Sequence, residues 1–384
     1  MNQSQSPQNH ALEWLCTGWE IFPAMLDAIG AAKKSVRLET YIYADGQLGK
    51  KFLAALTAAA QRGIHVQVLI DAVGSWYLSS DFFKPLVDAG GEVRRFNPLN
   101  FWRFGVRDHR KLLVCDDNVA FVGGFNISDE YDGDGVKCGW CDAGAKIENP
   151  LLIQKLALSF DQLFATADFH RRPLLRLRAF RQRRKHIAKK SAEELLLNFP
   201  GAGKSPFQIA LHNDLHHAKD IQIVTAYFLP TRKLRRDLRW AARRGARVRL
   251  ILAGKTDVPI SQLAAQFYYR RLLQSGVEIY EYMPQILHAK LMIADGAVYV
   301  GSANLDIRSL KLNYEIMLRL KDEAIAEGAR NYFERVLKHC RRVELGEWQK
   351  SQTFWMRWKN YWAHWLLRYV DPYVALKQFH ALKK

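Results

Sequence analysis

Residues 109–126 read HRKLLVCDDNVAFVGGFN. A basic pair opens the stretch, an apolar run follows, and acids, two glycines and an asparagine close it. The run LLVC reads as buried strand, and side chains two apart on a strand share a face. His109 and Lys111 therefore project together, while Arg110 faces away. Asp116 falls at the strand end, where it is expected to cap the turn. Gly123 and Gly124 end the next strand, where small residues permit close backbone approach. Alone, this is a strand and turn with a charged lip. Its significance depends on a counterpart elsewhere in the chain.

Residues 288–304, HAKLMIADGAVYVGSAN, are that counterpart. His288, Lys290 and Asp295 repeat the spacing of His109, Lys111 and Asp116. Gly301-Ser302-Ala303-Asn304 answers Gly123-Gly124-Phe125-Asn126. Five residues rather than six separate Asp295 from Gly301, which predicts a tighter second turn. Two matches in corresponding places of a repeat are hard to obtain by chance.

The repeat extends outward. KSVRLETYIY (34–43) predicts a strand, GKKFLAALTAAAQRG (49–63) a helix and HVQVLIDAV (65–73) a second strand. DIQIVTAYFL (220–229), TRKLRRDLRWAARRG (231–245) and ARVRLILAG (246–254) follow the same order. Each copy continues through a short helix ending near glycine and a proline-bearing turn. This alternation predicts an α/β fold in each half, with a largely parallel or mixed sheet. The expected organisation is a first domain over 1–170, a basic linker over 171–200, a second domain over 201–345 and a C-terminal segment over 346–384.

The chain has 384 residues and a formal charge of +19, enough for two cores and an excess that selects polyanionic partners. Nucleic acid, an anionic membrane surface and phosphorylated substrates all qualify. Residues 171–190 hold ten Lys and Arg and no acid; they read as a solvated linker or as a basic segment resting on lipid or nucleic acid. Five cysteines in a sparse, odd set do not form a disulfide framework, and a reducing compartment is the simpler inference. Cys138 and Cys141 lack a second Cys/His pair at zinc spacing, so no metal or cofactor is expected. GAGKS (201–205) has Asn198 where a phosphate loop needs glycine. The polar N-terminus carries no signal pattern, and no apolar run is long enough to span a bilayer.

If the halves close about a pseudo-twofold axis, two histidines, two lysines and two asparagines meet. Two cations facing one cavity repel unless an anion lies between them, which a phosphodiester does. One imidazole can attack phosphorus while the other protonates the leaving alkoxide and later deprotonates the incoming alcohol. Lys111 and Lys290 would stabilise charge on the phosphate, and Asn126, Ser302 and Asn304 can donate to its oxygens. Each imidazole needs a carboxylate on its second ring nitrogen. Asp142 and Glu315, downstream of their own motifs, suit that role.

The duplicated HxKxxxxD followed by G-G/S-x-N resembles the phospholipase D superfamily over roughly residues 12–340. LETYIYADGQLG, HRKLLVCDDNVAFVGGFNISDEY and GSANLDIRSLKLNYEI are most similar to bacterial cardiolipin synthases. The resemblance implies two similar α/β domains with the active site at their interface and a phosphohistidine intermediate. It implies catalytic roles for His109, Lys111, Asp116, His288, Lys290 and Asp295, with His109 as nucleophile and His288 as acid/base. Phosphate contacts from Lys111, Lys290, Asn126, Ser302 and Asn304 also follow from it. The implied reaction transfers phosphatidyl from phosphatidylglycerol, or a similar donor, to the hydroxyl of a second phosphatidylglycerol. A nuclease or other phosphodiesterase acting on nucleic acid is the alternative.

Trp348, Trp355, Trp358, Trp362 and Trp365 fall at helical spacing, with Arg357, Lys359 and Arg368 among them. Such a stripe either packs on the protein or sits at the headgroup level of an anionic membrane. The aromatic stretch 96–110 reads either as the lining of an acyl-chain channel or as packing under the loop. The expected setting is a peripheral enzyme on the cytoplasmic face of the inner membrane.

Overall fold

A computed structural model describes residues 12–97, 105–167, 192–200 and 205–370. The basic segment 171–190 and most of the aromatic stretch before His109 lie outside the described residues.

In the first half the strands are β1 (Leu12–Leu15), β2 (Ser35–Thr40), β3 (His65–Asp71), β4 (Glu92–Phe96), β5 (Leu112–Cys115), β6 (Val119–Gly123) and β7 (Gly144–Ile147). Among the described residues the helices with them are α1 (Gly18–Ala31), α2 (Gln47–Gln61), α3 (Lys84–Asp88) and α4 (Pro150–Phe164). The second half has β8 (Glu193–Asn198), β9 (Asp220–Thr225), β10 (Arg247–Ala253), β11 (Glu278–Tyr282), β12 (Lys290–Ala294), β13 (Ala297–Gly301), β14 (Glu315–Lys321) and β15 (Cys340–Arg342). Its helices are α5 (Pro206–His217), α6 (Arg232–Arg243), α7 (Pro259–Gln266), α8 (Tyr269–Leu273), α9 (Ile307–Lys311), α10 (Glu323–Leu337), α11 (Leu345–Ser351) and α12 (Phe354–Trp365).

The first sheet runs β1-β7-β6-β5-β2-β3-β4 and the second β15-β11-β10-β9-β12-β13-β14-β8. Seven strands correspond one to one, with β1 on β7 matching β8 on β14 at the sheet edge. β2, β3 and β4 are parallel, as are β9, β10 and β11. The hairpins β5–β6–β7 and β12–β13–β14 are antiparallel extensions of each sheet. Each half is therefore a mixed sheet, as the alternation predicts. β8 is a departure: residues 193–198, expected in the linker, pair with β14 as an edge strand. Glu193 and Glu194 head a run of leucines, all of them pair with β14, and Glu194 meets Arg319 across the pairing at 3.0 Å.

The halves share a core. Leu112, Val114, Ala120 and Val122 from one sheet join Leu291, Ile293, Val298 and Val300 from the other in one buried cluster. α4 and α10 contribute to it, with Leu156, Phe160, Tyr332 and Phe333 among their buried residues. Asn149 caps α4 ahead of Pro150, and Asp322 caps α10. Separate outer cores lie beneath α1 and α2 in one half and α5 and α6 in the other. The interface is thus made of side chains that would otherwise face water.

The missing residue in the second motif comes out of the turn alone. Leu112 pairs with Val122, and Leu291 pairs with Val300, at equivalent positions. The first turn spends three residues, Asp116-Asp117-Asn118, where the second spends two, Asp295-Gly296. Asp116, Asp117 and Asp295 all take positive φ, near 56°, 57° and 50°, a conformation that Asp tolerates better than most residues.

Asp116 and Asp295 are tied to backbone. Asp116 accepts from the amides of Lys33, Lys34 and Ser35 at 2.7, 2.7 and 2.9 Å. Asp295 accepts from Lys219 and Asp220 at 3.0 and 2.9 Å. Each strand carries its aspartate roughly 20 Å from its histidine, at about 3.3 Å per residue. The catalytic role implied for these two aspartates is corrected to a structural one. Each fastens the far end of the motif strand to the start of its neighbour. Asp116→Ala and Asp295→Ala should each lower unfolding free energy by about 2 kcal/mol in urea titration, with activity well below the midpoint falling no more than several-fold. An unshifted midpoint with a loss of about a hundredfold would return the carboxylate to the chemistry.

Candidate active site

His109 lies just ahead of β5 and His288 just ahead of β12, at corresponding ends of the two sheets. Backbone bonds stitch these ends together across the interface. The His109 amide donates to the Tyr314 carbonyl at 3.0 Å, and the Tyr314 amide to Arg107 at 2.9 Å. On the other side, His288 donates to the Cys141 carbonyl at 2.7 Å, and Cys141 to Ile286 at 2.9 Å. Residues 314 and 141 immediately precede Glu315 and Asp142. The stitching therefore delivers each carboxylate to the opposite half's histidine.

His109 Nδ1 lies 3.1 Å from the Glu315 carboxylate, and His288 Nδ1 lies 2.6 Å from Asp142. Both expected carboxylates are at the imidazoles, but each serves the other half's histidine, not its own. Sequence order could not reveal the exchange, because it depends on how the sheets dock. The site is buried: His109 is 9% exposed, His288 3% and Lys290 0%. Lys111 donates to the His109 carbonyl at 2.6 Å, and Lys290 Nζ lies 2.7 Å from His288 Nδ1. The Tyr41 ring covers Lys111 at 5.3 Å and lies 5.0 Å from the His109 ring.

Burial dominates the electrostatics. Burial, then the charges of Lys111 and Lys290, holds His109 well below the usual imidazole value. Burial and then Lys290 bring His288 to about 4, with Asp142 opposing. Burial carries Lys111 down to about 7 and Lys290 to about 8. The carboxylates diverge. Burial lifts Glu315 to about 8, against the pull of Lys111. Burial alone would raise Asp142 too, but Lys290 and His288 outweigh it and hold Asp142 below its ordinary value.

The glycine and serine after the two motifs seat the two carboxylates differently, although the Ser302 bond by itself favours ionised Glu315 and is outweighed by burial. A Cβ on Gly124 would meet the Asp142 carboxylate at 2.1 Å. The matching Ser302 instead donates to Glu315 at 2.5 Å and accepts from the Ile316 amide at 3.0 Å. Ser302, expected at the phosphate, is occupied in holding Glu315. Asn126 is likewise engaged, donating to Tyr131 at 2.7 Å and accepting from the Ile42 amide at 3.1 Å. Asn304 is buried, and its carbonyl oxygen has no hydrogen-bond partner, which leaves it available to a bound group.

Three aromatic residues at the site carry no motif signal. The Tyr131 hydroxyl lies 3.4 Å from both nitrogens of His288, and the Trp140 ring lies 5.6 Å from that imidazole. Tyr41 completes the set. Tyr131 follows Asn126 by five residues, in a turn whose conformation the local sequence does not announce. Among the described residues, no cluster of His, Cys, Asp or Glu has the geometry to hold a metal ion. Arg110 faces away, as expected, but into the core, where it pairs with Glu39 at 2.9 Å.

A family profile described as "Cardiolipin synthase, PLD-like domain" matches residues 25–164 and 211–337. "Cardiolipin synthase B" of Salmonella typhi is 31% identical over 97% of this chain and 91% of its own length. "Cardiolipin synthase" of Clostridium perfringens strain SM101 is 34% identical over 86% of this chain and 71% of its own. The crystal structure of phosphatidylserine synthase from Haemophilus influenzae Rd KW20 superposes with a TM-score of 0.73, covering 95% of both chains at 17% identity. That of polyphosphate kinase from Porphyromonas gingivalis reaches 0.58, over 87% of this chain and 49% of its own, at 14% identity. The last two share the fold. With both halves matched and relatives above 30% identity along most of its length, this protein belongs to the cardiolipin synthase family of the phospholipase D superfamily.

Proposed function

We propose that the protein transfers phosphatidyl from one phosphatidylglycerol to the terminal hydroxyl of another, releasing glycerol, through a phosphohistidine. The crossed imidazole–carboxylate pairs carry this reading. They hold two neutral imidazoles in one buried site beside two lysines whose charges need an anion between them.

The two pairs differ in protons. Asp142 is ionised against a neutral His288, so this pair can attack phosphorus. Glu315 retains its proton to about pH 8 beside a neutral His109, so that pair holds one proton more and can act as acid. His288 Nε2 attacks phosphorus, and the bond to the glycerol oxygen breaks. That oxygen takes the Nε2 proton of His109, whose Nδ1 receives the proton of Glu315. The acceptor hydroxyl then returns a proton to His109 and displaces His288 from phosphorus. Asp142 stabilises the charged phosphohistidine. This order reverses the one suggested by resemblance.

The lipid setting is supported by α12. Asn360, Ala363 and His364 pack inward, with His364 stacked on Phe267 at 4.2 Å. Trp355, Trp358, Trp362 and Trp365 are exposed, their rings in edge-to-face contact at 6.1, 5.8 and 5.4 Å. Trp348 packs against Tyr269 instead. Of the two roles expected for the stripe, surface contact fits four of its five tryptophans. Trp76 and Tyr77, exposed in the loop after β3, add aromatic surface. Among the described residues no helix is long and apolar enough to cross a membrane. A peripheral position on the anionic cytoplasmic face of the inner membrane fits this surface.

His109→Ala and His288→Ala should each abolish cardiolipin formation from phosphatidylglycerol, measured by mass spectrometry, with phospholipid label trapped on His288. Label trapped on His109 would restore the opposite order. Wild-type transfer by His288→Ala, or plasmid nicking without lipid transfer, would defeat the proposal. The free-enzyme kcat/KM should fall below about pH 4, where His288 protonates, begin to decline above about pH 7, where Lys111 loses its proton, and fall further above about pH 8, where Glu315 and Lys290 lose theirs. A rate still rising at about pH 10 would contradict this proton inventory. Trp355→Ala with Trp358→Ala should weaken binding to phosphatidylglycerol vesicles by about tenfold or more; unchanged flotation would remove α12 from the membrane contact.

A further inference from the structure

The sequence of α6 carries a second pattern. Arg232, Arg235, Arg236 and Arg239 recur at helical spacing on one face. In the structure they line a cavity of about 150 Å³ with Arg271 and Tyr268, from the α7–α8 region. Five guanidinium groups so placed repel one another. Among the described residues one carboxylate comes within ion-pair reach, Asp237, 3.8 Å from Arg236. Asp237 is already committed to His212 at 2.7 Å. Arg235 lies over the Tyr268 ring at 4.5 Å, and its Nε is buried without a hydrogen-bond partner. Arg239 donates to Ser275 at 3.0 Å. The remaining donors have the fork geometry that suits phosphate oxygens.

This cavity is joined to the aromatic helix. The Tyr268 hydroxyl lies 3.0 Å from His364 Nδ1, on the inward face of α12. Arg368, one turn beyond α12, lies 3.5 Å from the same hydroxyl. The Arg368 guanidinium also lies over the Tyr369 ring at 5.8 Å. α6 itself begins seven residues after Thr225, which pairs with Lys290 of the catalytic site. The basic cavity therefore abuts the inward face of the helix that presents the tryptophans, and α6 follows β9 from the end of the sheet that carries the chemistry. Polybasic helices next to interfacial aromatics are suited to anionic headgroups.

We infer that the α6–α8 arginine cavity is a second lipid site, which binds the phosphate of a non-reacting anionic phospholipid while α12 rests in the headgroup layer. The inference rests on the membrane reading above. A bound headgroup would fix the protein's orientation and keep its catalytic mouth against the bilayer during successive turnovers. The partner is a lipid in a bilayer, not a free phosphate, because the helix joined to the cavity exposes four tryptophans.

The test compares equal losses of charge in a His288→Ala background, where turnover cannot alter the lipid. One variant combines Arg232→Gln, Arg236→Gln and Arg271→Gln. The control combines Lys33→Gln, Lys51→Gln and Lys338→Gln, all exposed and elsewhere. On vesicles of phosphatidylcholine with phosphatidylglycerol, the cavity variant should bind about tenfold or more weakly and the control within about twofold. Equal losses, or none, would overturn the site and leave only net charge. Glycerophosphoglycerol, the deacylated headgroup, should bind far more weakly than vesicles. If its affinity for the His288→Ala parent matched that of vesicles and fell equally in the cavity variant, the site would be one for soluble anions. Should the triple variant not fold, Arg232→Gln and Arg271→Gln singly should each weaken vesicle binding by about two- to fivefold, and no change in either would overturn the site. Because activity is not read, failure of wild-type protein to make cardiolipin would sink the proposed function without touching this comparison.

Discussion

Everything in the site depends on a buried imidazole and a buried carboxylate meeting across the line where the two halves touch. Neither group gains from burial alone, since desolvation penalises the charged form of each. They are held there because the apolar faces of two sheets, with α4 and α10, close around them. Two pairs of backbone bonds then fix the approach to within hydrogen-bond tolerance. A displacement of about 1 Å between the halves would break both pairs at once. Docking and catalysis are thus one constraint, imposed by the core and read out at the histidines.

Within that frame the halves share a scaffold but not a chemistry. Glu39, Asp108 and Arg110 form a buried charged group in the first half; the equivalent positions in the second are Val224, Leu287 and Ala289. Burial raises both Glu39 and Asp108, with Arg110 opposing. The pairs Gly124–Asp142 and Ser302–Glu315 repeat this theme at the site. A shorter carboxylate close to its imidazole stays ionised. A longer one, farther from its imidazole, keeps its proton because burial outweighs both Lys111 and the bond from serine.

Much of the scaffold was legible in the residues. Apolar alternation located β2, β3, β9 and β10, and the matched spacings identified a duplicated unit with its two-residue His/Lys register. The strands on either side of Asp295 could be placed, and the shorter spacing to Gly301 already indicated the tighter turn that leaves Leu291 opposite Val300. The carboxylates Asp142 and Glu315 were identifiable by type and position; their exchange between halves was not, because pairing across a docked interface leaves no local periodicity. The strand-end position of Asp116 and Asp295 suggested a cap and the family motif a catalytic role; their bonds run to the backbone at the start of β2 and β9. Tyr131 and Trp140 were invisible, since nothing in a loop's composition states which ring will lie against which imidazole. β8 was hidden by its charged lead-in and the basic stretch before it.

The exchange of carboxylates between halves has a consequence for the protein's history. In a symmetric pair of identical subunits, any substitution at such a position appears twice, so an improvement to one imidazole's partner is also imposed on the other. Joining the two copies in one polypeptide removes that coupling. Asp142 and Glu315, or Gly124 and Ser302, can then differ, and a single pocket can keep a proton donor and a proton acceptor side by side. Specialisation of the two imidazoles is something that covalent fusion permits and that strict symmetry forbids.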